Sequence, residues 1–248
     1  MNNFSQEPER RTIVDVTGLN RFLSRMYGMM TIAVLVSALS AYLTMTVFRT
    51  QVMTIFASNP TMTWILLLVP LALTFGISFR ATRNPVASFV MLMIMAIVYG
   101  VEFSLIAGAY TGRSIASAFV ASSTVFITMA VIGTTTKKNL NNLGSYASAA
   151  LIGLIVAMLI NMFLRNPMVS YIFSFIAVII FTILTAWDAQ RMKNIYLQFG
   201  GEVSTNGLAV MGALQLYLDF VNLFLAQMII IIKNSVYCIF RLRMKENE

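Results

Sequence analysis

Seven apolar runs alternate with short polar joints along this chain, at residues 26–48, 63–79, 86–109, 114–133, 145–164, 168–190 and 207–232. A bilayer core of about 30 Å takes roughly 20 apolar residues to cross as a helix. Backbone groups at that depth must bond within their own structure. The runs therefore predict an all-α polytopic membrane helical bundle of seven transmembrane helices. Composition agrees, with 58% hydrophobic and 10% charged residues and a mean hydropathy of +0.81, whereas a soluble domain carries about a quarter charged residues. The joints hold the expected breakers, among them Pro60, Pro85, Gly112, Pro167 and Gly200 with Gly201. Pro70 interrupts the second run, a kink that membrane helices tolerate.

The runs divide the chain into a polar N-terminal segment (1–25), a membrane domain (26–232) and a basic tail (233–248). No stretch outside the runs is long enough for a soluble domain. Arg10, Arg11, Arg21 and Arg25 precede a first run too long for a cleaved signal, so it is expected to stay as a helix. With the N-terminus cytoplasmic, ten lysines and arginines fall inside and three (Arg49, Arg113, Arg165) outside. That bias predicts an N-in, multi-pass protein of the plasma membrane. Only the tail disagrees, since Lys233, Arg241, Arg243 and Lys245 would lie outside after seven crossings.

Several function classes drop out. The net charge of +8 is spread over short joints without interleaved aromatics, so nucleic acid is not an expected partner. A single cysteine, Cys238, excludes an intrachain disulfide, and the lack of histidine removes the usual zinc sites and the usual neutral-pH switch. There is no phosphate loop and no Ser/His/Asp constellation, so neither an enzyme nor a bound cofactor is expected. Any pH sensing falls to carboxylates.

Three carboxylates lie within the runs. Asp219 sits in the seventh, where Gly212, Gln215, Asp219, Asn222 and Ala226 recur at helical spacing and form one narrow stripe. A charge at that depth costs at least ~2.5 kcal/mol, so it calls for a partner, a cavity or an ion. Asp188 lies late in the sixth run. If that helix continues to about Phe199 and the seventh begins near Gly207, Asp188 is ~17 Å before the turn and Asp219 ~18 Å after it. An antiparallel pair brings both to one depth, where two buried carboxyls tend to share a proton and titrate together. Other readings stay open: Asp188 at headgroup level beside Arg191, and Asp219 in an ordinary interhelical hydrogen bond. Glu102, about 200° around its helix from Gly100, either lines a cavity or is held protonated by Ser or Thr. Arg80 and Arg83, ending the second run, are counter-ions for Asp188 or plain membrane anchors. Two ridges of small residues, Gly100/Ser104/Gly108/Gly112 and Ser145/Ala149/Gly153/Ala157, suit close helix packing.

The segment Leu216-Tyr217-Leu218-Asp219-Phe220-Val221-Asn222-Leu223-Phe224 resembles the most specific motif of the Bax inhibitor-1 family. Arg25-Met26-Tyr27, the stretch Gly133 to Leu140 and the Trp187-Asp188 pair match as well, so the likeness covers the chain from about residue 20 and is nearest to bacterial members. The resemblance implies a fold whose last helix is surrounded by the other six. It also implies a pH-sensitive calcium leak at Asp188 and Asp219, which would meet calcium transiently, with Arg80 as counter-ion. By their own positions in the runs Glu102, Gln215 and Asn222 are accessory candidates, Glu102 standing where the family is expected to carry a neutral residue. Calcium or another cation, the lipid bilayer and a membrane protease or other membrane protein are the implied partners. A rival is a non-conducting interaction protein that regulates membrane proteolysis or stress and cell-death responses. An intramembrane aspartyl protease also pairs aspartates on consecutive helices, but Asp219 lacks the Gly-x-Gly-Asp setting and no Pro-Ala-Leu occurs.

Overall fold

The structure is a computed structural model that describes residues 16–107, 111–200 and 204–245. Its helices are α1 (Val16–Thr46), α2 (Arg49–Ser58), α3 (Pro60–Arg80), α4 (Pro85–Ala107), α5 (Gly112–Thr135), α6 (Asn141–Leu164), α7 (Pro167–Phe199) and α8 (Thr205–Lys245). Seven are long and apolar enough to cross a membrane. The exception, α2, fills a joint that the apolar runs leave as a loop. Its ten residues make a short helix, separated from α3 by Asn59 in an extended conformation (φ −132°, ψ 85°) and by Pro60 at the start of α3.

Local chemistry sets the other boundaries. Asn166 Oδ1 accepts from the backbone N–H of Met168 (2.9 Å) and of Val169 (3.4 Å), capping α7 behind Pro167. Arg165 ends α6 in the left-handed region at φ 52°. Thr111 Oγ1 accepts from the Ser114 N–H and caps α5. α7 overruns its apolar run to Phe199, as the hairpin reading expects, and two helices overrun theirs unexpectedly. α1 begins at Val16, within the segment read as a polar N-terminus, because Phe22 and Met26 extend its buried face past Arg21 and Arg25. α8 continues beyond its span to Lys245, so the tail begins as helix.

α8 forms the axis of the bundle. In its membrane span 56% of the most apolar window is buried, against 11–33% in the other six. It packs on α7, α1, α5, α4 and α3, whereas α6 leans on α7. The ring around α8 is therefore looser at α6 than the resemblance implies. What α6 seats on is α7, where the Trp187 indole packs against Gly144 and its Nε1 donates to Asn141 Oδ1 at 3.4 Å.

The two small-residue ridges meet different fates. Gly100 packs against Ser37 and Ser40 of α1, so close that a β-carbon would clash with the Ser37 carbonyl. The ridge on the fifth run does not bury. Ser145, Ala149 and Gly153 face outward, and α6 packs instead through Gly144, Ala147, Leu154 and Asn161. Apolar side chains such as Phe163 (80% exposed) and Phe79 (77%) form the outer surface, as lipid contact requires.

Candidate functional site

The α7–α8 hairpin places its two carboxylates as its length dictates. α7 ends at Phe199, so Asp188 lies about 17 Å before that end, and Asp219 lies about 21 Å into α8 from Thr205. Both are buried, at 8% and 5% exposure. Their carboxyl groups stand within hydrogen-bonding reach of each other. They share a cavity of about 540 Å³ between α6, α7 and α8, into which Gln215 and Asn222 also open.

Two oxygens of this cavity, Gln215 Oε1 and Asp219 Oδ2, have no hydrogen-bond donor. Asn222 spends its Nδ2 on the Leu218 carbonyl at 2.8 Å. The cavity thus has unpartnered acceptors buried at its wall, the groups that bind protons and hard cations, beside the guanidinium of Arg191. Two carboxylates about 4 Å apart repel by roughly 4 kcal/mol at an effective dielectric constant near 20. A shared proton or a cation removes that repulsion and supplies the missing donor or charge.

The end of α7 beyond Asp188 is anchored to the α5–α6 joint. Gln190 Nε2 donates to the Lys138 carbonyl, and Gln190 Oε1 accepts from the Leu140 N–H, both at 2.8 Å. Lys193 Nζ donates to the Thr134 carbonyl at 2.6 Å. Arg25 of α1 bonds Asn206 at the start of α8. These contacts fix α7 and α8 at the end of the bundle nearer the aspartates.

The other residues singled out from sequence are placed elsewhere. Arg80 is exposed at the end of α3, beside Ala81, whose carbonyl meets Gly207. Gly207 precedes Asp219 by more than three helical turns, ~18 Å, so Arg80 is not brought to the pair. Arg191 takes that place. It lines the aspartate cavity, acts on Asp188 as the neighbouring positive charge and lies over the Trp187 ring at 5.0 Å. Its spacing from Asp188 was the visible signal.

Glu102 lies across α8 from the pair, outside the aspartate cavity. It sits near Tyr99 and Tyr217, close enough for its charge to act on both hydroxyls, and its Oε1 has no donor. Tyr217 OH and Ser37 Oγ bond at 2.6 Å on this side of the axis. Among the described residues no cluster of three or more His, Cys, Asp or Glu could hold a metal ion. Calcium takes six to eight oxygens, so two carboxyls and an amide make a passing contact for it and not a cage.

Sequence reasoning missed the Gly144 seat for Trp187 and the buried Asn161, which bonds Asn166 and Ser170 across the α6–α7 turn. Glycine at the start of a run reads as a joint residue, and a lone asparagine near a run's end reads as a boundary.

The family described as inhibitor of apoptosis-promoting Bax1 matches residues 19–236. An uncharacterized membrane protein of Streptococcus pyogenes serotype M3 is 37% identical over 218 residues, covering 88% of this chain and 95% of its own. An uncharacterized protein of Rickettsia prowazekii is 35% identical, over 84% of this chain and 87% of its own. The inner membrane protein YbhL of Escherichia coli K12 is 34% identical, over 84% and 89%. With a family match along most of its length and a bundle built around its last membrane span, the chain belongs to the Bax inhibitor-1 family.

Proposed function

We propose that the protein is a pH-sensitive leak pathway for calcium or a similar cation, gated by the Asp188–Asp219 pair. One observation carries this reading: two buried carboxyls within hydrogen-bonding reach face a membrane-depth cavity whose unpartnered atoms are oxygens. A proton shared between them ties α7 to α8. When it leaves, two like charges remain; Arg191 offsets part of the charge at Asp188, and a cation is the species that relieves the rest. Proton and cation therefore compete for the same oxygens. The role is transport and not catalysis, and it needs no cofactor. In the N-in orientation, in the plasma membrane, the pair lies toward the cytoplasmic end and the α6–α7 turn faces out.

A non-conducting role in regulating membrane proteolysis or stress responses is the rival, favoured by the family's description as an inhibitor. Calcium flux into liposomes holding only the purified protein separates the two. A leak conducts alone and responds to pH between acid and neutral. An adaptor conducts nothing without its partner, and that result would overturn the leak.

A further inference from the structure

We infer that the route from the aspartate pair to the far face runs between α6 and α7, through a second cavity at their turn, with Asn161 as the acceptor that guides cations at its outer end. The inference rests on the cation-leak reading above.

The second cavity, about 460 Å³, is lined by Asn161, Arg165, Asn166 and Ser170. It shares Met158, Ser174 and Ile229 with the aspartate cavity, so the two spaces adjoin. Along α7, Pro167 lies 21 residues before Asp188, about 31 Å, close to the thickness of a bilayer core. Together the cavities run from the pair to the opposite surface, which places the aspartates at the inner end of a vestibule.

Asn161 has the chemistry of a guide. It is 9% exposed, and its Nδ2 donates to the Asn166 carbonyl at 3.2 Å and to Ser170 Oγ at 2.7 Å. A carbonyl only accepts, so the amide orientation is fixed and Oδ1 is left without a donor. Among the described residues five buried side-chain atoms lack partners, all oxygens, and three of them (Asn161, Gln215, Asp219) line these two cavities. Buried acceptors left dry are costly, and these three lie closed off in the walls of the two cavities, so an opening of the walls that brings them water or a cation is favoured over one filled by a lipid tail. Arg165 at the mouth is exposed, and salt screens its charge within about 8 Å.

The test uses full-length protein with Cys238→Ser as background, probed with a small cationic methanethiosulfonate. Arg165→Cys defines the side from which the reagent enters. Ser174→Cys, 1% exposed but lining both cavities, is expected to react from that side and to lose calcium flux on modification. Ile176→Cys, at similar depth but 40% exposed toward lipid, is expected to stay unmodified. Asn161→Leu should lower flux about tenfold while the shape of its pH profile stays as in the wild type.

A lipid-filled groove would leave Ser174→Cys unreactive, and that result, with wild-type flux in Asn161→Leu, overturns the route alone. If Asn161→Leu fails to fold, the Ser174→Cys and Ile176→Cys comparison decides the route. If the wild-type protein conducts no cation at any pH, the leak reading fails and the route falls with it.

Discussion

Tyr217 and Asp219 are two residues apart on α8 and so point about 200° apart, one toward α1 and α4 and the other toward the α6–α7 cavity. Their substitutions should differ accordingly. Tyr217→Phe removes the 2.6 Å bond to Ser37, but Ser37 Oγ keeps its donation to the Ala33 carbonyl at 3.0 Å. No donor is stranded and only the Ser37 Oγ lone pair loses its partner, so the expected cost is about 1–2 kcal/mol, read as a small drop in Tm in detergent with unchanged flux. A loss of more than about 3 kcal/mol would mean that the Tyr217 side of α8 carries more of the fold than its contacts indicate. Trp187 gives the complementary case. Gly144→Val would put branched carbons where the indole now sits, displacing the residue next to Asp188. We predict an altered pH profile of flux together with a lowered Tm, since overpacking of this kind costs about 1–3 kcal/mol; an unaltered profile in the folded protein would separate the Trp187 seat from the gate.

At the level of helices, close approach decides stability. Gly133 of α5 meets the Ala186 backbone of α7, and a β-carbon there would lie 2.8 Å from the Ala186 carbonyl carbon. In a free helix Gly→Ala gains up to ~1 kcal/mol; here the backbone cannot turn aside, and overpacking of this kind costs about 1–3 kcal/mol. Gly133→Ala should therefore lower Tm, and a rise would show that α5 and α7 can separate freely. Such contacts explain what was legible beforehand. The seven spans, the extension of α7 to Phe199 and the shared depth of Asp188 and Asp219 follow from run lengths and helical rise alone. Rotation does not. Ser145, Ala149, Gly153 and Ala157 have the same small-residue spacing as the Gly100 ridge, yet the first three lie outward and Ala157 is only half-buried, because α6 packs on α7 through the face that carries Gly144. Arg80 shares an end of the bundle with the pair but lies beside Gly207, ~18 Å along α8 from Asp219, a separation that positive-inside counting cannot resolve. α2 has too few apolar residues to register as a run.

For the whole molecule, seven spans place the 165–167 joint and the 137–142 joint on opposite sides of the membrane. With the N-terminus inside, a cysteine in the 165–167 joint should be labelled on intact cells and one in the 137–142 joint only after permeabilisation; the reverse pattern would invert the molecule and the direction of the vestibule. The central claim is the coupled pair, and its most direct measurement is the pH dependence of calcium flux in proteoliposomes for wild type, Asp188→Asn, Asp219→Asn and the double variant. Asparagine keeps size and hydrogen bonding while removing titration, so either single substitution should already flatten the profile between acid and neutral pH, and the double variant should add little, since one proton serves both groups. Full wild-type pH dependence in both single variants, or strictly additive changes in the double, would contradict a gate at Asp188 and Asp219.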